Sequence, residues 1–174
     1  MPIVFTLNGV EQRLDADDTL RALDLLREHC GVTGPKEGCG TGECGACAIW
    51  IDGVTRLSCL TLAGQLHGRE VTTAEGLGNG LGEGLGGAEG LKKNHADQSS
   101  LHPVQTALAE RGGVQCGYCT PGMAMTAAEL LRNDPNPDRS AIREAISGNL
   151  CRCTGYHKIV DSIEAAAETM RKKR

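Results

Sequence analysis

Aromatic side chains are nearly missing from this chain: one Trp, two Tyr and one Phe occur in 174 residues. A core built on rings is thereby excluded, and the length suffices for one ordinary domain or two small ones, neither able to assemble a large apolar interior. No apolar run reaches membrane-spanning length. The first twenty residues, MPIVFTLNGVEQRLDADDTL, lack a basic segment followed by an apolar one, so no secretory signal is visible. An excess of positive charge is lacking too; a net charge of −4 argues against nucleic acid as the main partner. No Ser/His/Asp or Cys/His catalytic set can be assembled from the sequence. Glycine and cysteine, by contrast, are abundant, with 24 and nine copies. In the cytoplasm, the expected compartment, an odd number of closely grouped cysteines reads as metal binding rather than as disulfides.

Local patterning predicts an α+β chain, sheet first and helices after. Ile3 to Leu7, Asn8-Gly9 and Val10 to Leu14 read as a hairpin, because Asn-Gly supplies the two positive-φ residues of a tight turn. Asp17 or Asp18 is expected to cap a helix running to about His29, with Leu20, Leu23 and Leu26 on its buried face. Ala48 to Ile51, Asp52-Gly53 and Val54 to Ser58 read as a second hairpin, and Val71 to Thr73 as a further strand. Eight of the fifteen residues from Gly76 to Gly90 are glycine, the composition of a flexible linker or long loop. The expected division is a first domain over 1–75, a linker or insert over 76–100, and a helical domain over 101–174. In the last, Pro103 suits a first helical turn running to Glu110. Thr120 is expected as N-cap, with Pro121 at N1, of a helix burying Met123, Ala127, Leu130 and Leu131. Asp138 should cap a third helix carrying Ile142, Ala145 and Ile146, stopped by Gly148. A fourth spans His157 to about Met170, and four helices on short connections predict a small bundle.

Eight of the nine cysteines fall into two constellations. Cys39, Cys44, Cys47 and Cys59 have the C-x₄-C-x₂-C…C spacing by which four thiolates hold a plant-type [2Fe–2S] cluster; structural zinc would favour paired short spacings. Gly38, Gly40, Gly42 and Gly45 between them suit a loop that must reach φ > 0 and bring backbone N–H groups toward sulfur. Cys116, Cys119, Cys151 and Cys153 form a C-x₂-C and a distant C-x-C, which on ligand chemistry alone fits zinc as well as iron. The predicted helices bring all four to one end of the bundle, where helix N-termini favour an anionic thiolate cluster.

Three stretches carry a family resemblance: Lys36-Glu-Gly-Cys-Gly-Thr-Gly-Glu-Cys-Gly-Ala-Cys47, Gln115-Cys-Gly-Tyr-Cys-Thr-Pro-Gly122 and Gly148-Asn-Leu-Cys-Arg-Cys-Thr-Gly-Tyr156. In order and spacing they closely resemble the iron–sulfur subunit of the xanthine dehydrogenase family of molybdenum hydroxylases, over nearly the whole chain. Only the stretch from about Gly78 to Ser100 is longer and richer in glycine than that pattern. The resemblance implies a β-grasp, ferredoxin-like first domain and a four-helix-bundle second domain, each with one [2Fe–2S] cluster. It implies an electron relay with no substrate site of its own. Electrons would leave a molybdenum–pterin centre in a large subunit that hydroxylates an aldehyde, purine or other N-heterocycle. They would cross the Cys116/Cys119/Cys151/Cys153 cluster, then the Cys39/Cys44/Cys47/Cys59 cluster, and reach FAD in a medium subunit, the whole forming a dimer of heterotrimers. It further implies that Gln115 and Cys153 contact the pterin; a glutamine amide offers the donor and acceptor that a pterin edge requires. A free-standing ferredoxin-like carrier and a zinc-stapled interaction module are the competing functions, separable by metal analysis.

The remaining signals are weak. Two G-x-G-x-x-G matches, at Gly40/Gly42/Gly45 and Gly82/Gly84/Gly87, do not stand between a strand and a helix. His29, His67, His95, His102 and His157 show no ligand spacing and read as surface or packing residues. Cys30 is expected as a small buried apolar residue. Arg171 to Arg174 complements the dipole of the last helix.

Overall fold

A computed structural model describes residues 2–79 and 101–173. Strands β1 (Ile3–Leu7) and β2 (Val10–Leu14) form the expected antiparallel hairpin, with Asn8 at φ 49° and Gly9 at φ 81° in its turn. Alternation along β1 buries Ile3, Phe5 and Leu7 on one face. Strands β3 (Ala48–Ile51) and β4 (Val54–Leu57) turn in the same way through Asp52 at φ 51° and Gly53 at φ 78°. Strand β5 (Glu70–Thr72) lies at the centre of a five-stranded mixed sheet of order β2-β1-β5-β3-β4, parallel to β1 and antiparallel to β3.

The first helix departs from expectation at its start. Neither Asp17 nor Asp18 caps it: α1 covers Ala22–Asp24, with Arg21 as N-cap, and continues as a π-helical turn over Leu25–His29. Residues ahead of it are held extended against a distant segment, by Ala22 N–H to Thr61 O and Ala63 N–H to Leu20 O, both 2.7 Å. The Asp17 carboxylate instead accepts from Thr19 N–H and Oγ1 at 2.8 and 2.7 Å, closing a local turn. The expected burial survives in part: Leu26 packs with Leu25, Ile3, Phe5, Ile49 and Val71 over one face of the sheet, Leu23 is buried beside Cys47 and Cys59 instead, and Leu20 lies ahead of the helix and is half-buried.

The second half carries α2 (Pro103–Glu110), α3 (Thr120–Asn133), α4 (Arg139–Ala145) with a 3₁₀ turn over Ile146–Gly148, and α5 (His157–Lys173). Asp138 caps α4 as expected, its carboxylate accepting from Ala141 N–H at 2.7 Å. Thr120 is not the cap of α3; it is the first helical residue and Cys119 stands at the cap position. α2 is capped by His102, whose Nδ1 accepts from Val104 N–H at 3.2 Å while Gln105 Oε1 accepts from His102 N–H at 2.9 Å. α5 lays Ile159, Ile163 and Ala166 against α2 and α4.

Sheet and helices share one apolar core. Ala48, Trp50, Ala74 and Leu77 are buried together with Leu108, Met123, Ala127, Leu131 and Ile163. Trp50 donates its indole N–H to Met125 O at 3.1 Å, and the Arg132 guanidinium lies 4.5 Å from the ring centroid. Glu129 accepts from Thr55 N–H at 3.1 Å, so α3 also covers a backbone group of the edge strand β4. Of the glycine-rich segment, Leu77 is buried in a 3₁₀ turn, while 80–100 lies outside the described residues.

Candidate metal centres

The first constellation sits on the loop between α1 and β3, with its fourth member just after β4. Lys36 N–H donates to Ala46 O at 3.0 Å and closes the base of the loop. Gly40, Gly42 and Gly45 have φ of 66°, 85° and 69°, as a wrapping loop requires. Gly38 is there for another reason: a Cβ on it would lie 2.8 Å from Cys44 Sγ. Backbone N–H groups of Thr41 and Glu43 point at Cys39 Sγ, at 3.4 and 3.3 Å. The Thr41 hydroxyl, followed by these N–H groups, lowers the Cys39 thiol to about 6. Burial, followed by the adjacent Cys47 thiol, pushes Cys59 up to about 11. Cys39 is exposed, Cys44 half-buried, and Cys47 and Cys59 buried beside Leu23.

The second constellation lies where α3 and α5 begin. Cys116 and Cys119 precede and cap α3, and Cys151 and Cys153 lie between the 3₁₀ turn and α5. Cys153 Sγ is 3.5 Å from Cys116 Sγ. The N–H of Tyr118 lowers the Cys116 thiol, and the Cys116 thiol raises that of Cys153. Burial and then Cys151 push Cys119 up to about 12. For Cys151 burial opposes ionisation but is outweighed by the Thr154 hydroxyl, 3.1 Å away, and by backbone N–H groups of Thr154 and Cys153, so the thiol is lowered.

Cys116 and Cys153 bring their sulfurs to 3.5 Å, while Cys44 acts on the ionisation of Cys39, Cys47 on that of Cys59 and Cys151 on that of Cys119. Among the described residues no group of three or more His, Cys, Asp or Glu side chains is gathered as for a single ion. Four cysteines per site are what a two-iron cluster needs, and N–H donors aimed at Cys39 Sγ suit a thiolate there, so the donor sets fit [2Fe–2S]. In each site one pair faces outward (Cys39/Cys44, Cys116/Cys153) and the other lies deeper.

The other expected residues fall as follows. Gln115 is exposed immediately before Cys116. Cys30 is half-buried against the first core and its thiol is raised by burial. None of the described histidines joins a thiol set; His67 Nδ1 accepts from Val4 N–H at 3.1 Å, His102 is 2% exposed, and His95 lies outside the described residues. Gly82/Gly84/Gly87 also lie outside them. Arg171 donates to Pro135 O at 3.3 Å.

Three residues that spacing did not single out tie together the loops on which the cysteines stand. Tyr118 OH donates to Glu37 O at 2.5 Å, tying the Cys116–Cys119 loop to the residue pair before Cys39. Glu37 is itself held by a fork from Arg21, at 2.6 and 3.0 Å. Tyr156, a bulky residue at φ 67°, turns its hydroxyl back to accept from Cys151 N–H at 2.7 Å and donate to Asn149 O at 3.3 Å. Asn149, 4% exposed, donates from Nδ2 to Gly45 O at 3.2 Å. Only the compactness of Gly148 to Tyr156 as a motif signalled Asn149 and Tyr156, because their partners are set by the fold.

Residues 5–69 match the family described as 2Fe-2S iron-sulfur cluster binding domain, and residues 87–164 the family described as [2Fe-2S] binding domain. The nicotinate dehydrogenase small FeS subunit of Eubacterium barkeri is 41% identical over 166 residues, covering 95% of this chain and 94% of that protein. A probable xanthine dehydrogenase subunit of Bacillus subtilis is 42% identical, covering 90% and 80%. A chain of quinoline 2-oxidoreductase from Pseudomonas putida 86 superposes with a TM-score of 0.82 at 41% identity, over 99% of this chain and 96% of that one. Aldehyde oxidoreductase from Desulfovibrio gigas superposes with a TM-score of 0.84 at 36% identity, over 100% of this chain and 18% of the longer one.

Proposed function

Because this chain belongs to the family of small iron–sulfur subunits of xanthine and nicotinate dehydrogenases, we infer that it is the electron-transfer subunit of a molybdenum hydroxylase. The carrying observation is that eight cysteines stand in two sets of four, one in each half of the chain, with two N–H groups aimed at Cys39 Sγ in the first and Cys153 Sγ 3.5 Å from Cys116 Sγ in the second. Each [2Fe–2S] cluster, when bound, supplies a one-electron couple. Cys39, Cys44, Cys47 and Cys59 would hold the first cluster. Cys116, Cys119, Cys151 and Cys153 would hold the second. Backbone N–H groups at Cys39 and Cys116 offset the negative charge of the thiolates, and the burial of Cys47 and Cys59 keeps water from one side.

By analogy with the relatives, the chain works beside a large molybdenum–pterin subunit and a medium FAD subunit, assembled as a dimer of heterotrimers in the cytoplasm. The substrate class is an aldehyde, purine or other N-heterocycle, oxidised in the large subunit. Electrons then enter at the second cluster, where Cys116, Cys153 and Gln115 are exposed, with Gln115 and Cys153 meeting the pterin. They leave by the first cluster, through the outward Cys39 side. Among the described residues no helix is long and apolar enough to cross a membrane. Residues 1–75 are read as the ferredoxin-like domain, 76–100 as linker and 101–174 as a four-helix bundle; α2 packing on α5 and α3, and α4 on both α3 and α5, supports the bundle.

Iron and zinc analysis of protein purified without air, with a visible spectrum, tests the reading. About four irons per chain are expected, two for each Cys₄ site. Stoichiometric zinc without iron would overturn it. Identifying the subunits that co-purify then tests the assembly.

A further inference from the structure

The loops that carry the two thiol sets touch backbone to backbone. Leu150 N–H donates to Cys44 O at 2.9 Å, so the residue flanking Cys151 is bonded directly to a cysteine of the first set. One residue earlier, the buried Asn149 spends its side-chain donor on Gly45 O, across the gap rather than on its own loop, where such side chains commonly bond. Gly45 admits this approach because it has no Cβ; one would lie 2.5 Å from both Asn149 Nδ2 and Gly148 O. Behind Asn149, the Tyr156 hydroxyl holds Asn149 O and Cys151 N–H at once. The segment Gly148 to Cys151 is thus pinned on one side to the first loop and on the other to Tyr156. A buried carboxamide whose donor is spent between loops fixes their separation, since its displacement leaves polar groups unpaired.

Building on the electron-relay reading, we propose that Asn149 is a positioning residue that clamps the two cluster loops together, with Tyr156 bracing the clamp, and so sets the separation across which electrons pass. With both clusters bound, the residues Cys116, Cys119, Cys151 and Cys153 would hold the donor of one electron, which would return to its oxidised form. Cys39, Cys44, Cys47 and Cys59 would hold the group that this electron reduces, with no proton moved and no bond made or broken. Transfer and magnetic interaction both fall steeply with separation, so both report the clamp.

The test uses the assembled, iron-loaded complex carrying Asn149→Asp, which keeps the side chain's size but replaces the donor with an acceptor facing Gly45 O, and separately Tyr156→Phe. Both variants are expected to keep full iron content, both reduced-cluster EPR signals and the wild-type rate of second-cluster reduction by substrate. The spin–spin interaction between the reduced clusters should weaken and the arrival of electrons at the first cluster should slow severalfold, more in Asn149→Asp. Wild-type interaction and arrival rate in Asn149→Asp would overturn the proposal. Loss of second-cluster iron in both variants would also overturn it, because the residues would then hold ligands rather than space loops. A wild-type complex without two reducible clusters would overturn the relay reading itself, before either variant is read.

Discussion

His102 joins a burial of 2% exposure to a structural task, since its Nδ1 caps α2 and must stay unprotonated to accept from Val104 N–H. Burial lowers its pKa to about 4. The unfolded chain binds a proton near the ordinary histidine value while the folded chain does not, so the stability it contributes is present above about 6.5 and is lost as pH falls toward 4. Denaturant unfolding of the loaded chain should lose about 2 kcal/mol between about pH 7 and pH 5 from this group alone. His102→Asn, which keeps a capping acceptor without titrating, should flatten that dependence; an unchanged slope would show that His102 is not its source. At Cys44 the expectation is chemical. Cys44→Ser removes one thiolate of the outward pair, so iron should fall from about four to about two per chain, with the second cluster's EPR signal retained. The contact to Leu150 uses the Cys44 backbone, which the substitution leaves in place.

Elements here are positioned by the ends at which they begin. The N-cap of α4 is a local device: Asp138→Ala should cost about 1 kcal/mol in a thermal or denaturant melt and leave both clusters loaded. The start of α3 is a tertiary one. A Cβ on Gly122 would lie 2.2 Å from Gly45 O, a backbone atom that cannot rotate away. Gly122→Ala is therefore expected to destabilise the loaded chain by about 1–3 kcal/mol through overpacking, and to shift the EPR signals of both clusters, because α3 and the first loop must part. An Ala variant with wild-type melting and unshifted signals would remove Gly122 from the contact between the halves. The late start of α1 has the same origin, since Leu20 to Ala22 pair with Thr61 to Ala63 and no side-chain pattern within the helix records that.

Across the whole molecule, one core joins the sheet to the helices while the chain between them is rich in glycine. Deleting Gly80 to Gly90, which spares the buried Leu77, should leave iron content and both EPR signals unchanged, because closure cost varies by only about 0.6 kcal/mol for each doubling of loop length. Bleaching of either cluster in that variant would make the segment structural. Trp50 is the opposite case: it packs in the shared core, donates to Met125 O and lies under Arg132. Trp50→Ala should cost about 3–5 kcal/mol in a melt of the loaded chain.

The sequence alone determined what depends on neighbours in the chain. Asn8-Gly9 and Asp52-Gly53 turned where φ > 0 was needed, the apolar period of residues 103–170 was that of helices, and Asp138 capped as its position required. The two thiol sets were legible because ligand spacing is chemistry written locally. The folded structure decided that Cys153 lies beside Cys116, why Gly38 and Gly45 must lack a Cβ, that β5 lies at the centre of the sheet, and that His102 caps a helix. It also decided that Asn149, Tyr156 and Tyr118 serve the sites. Most of these rest on a partner far away in sequence or on a backbone reversal, and such contacts leave no period, spacing or turn signal in the chain that makes them; the His102 cap is local, reaching only Val104, and was hidden because histidine is not among the usual capping residues.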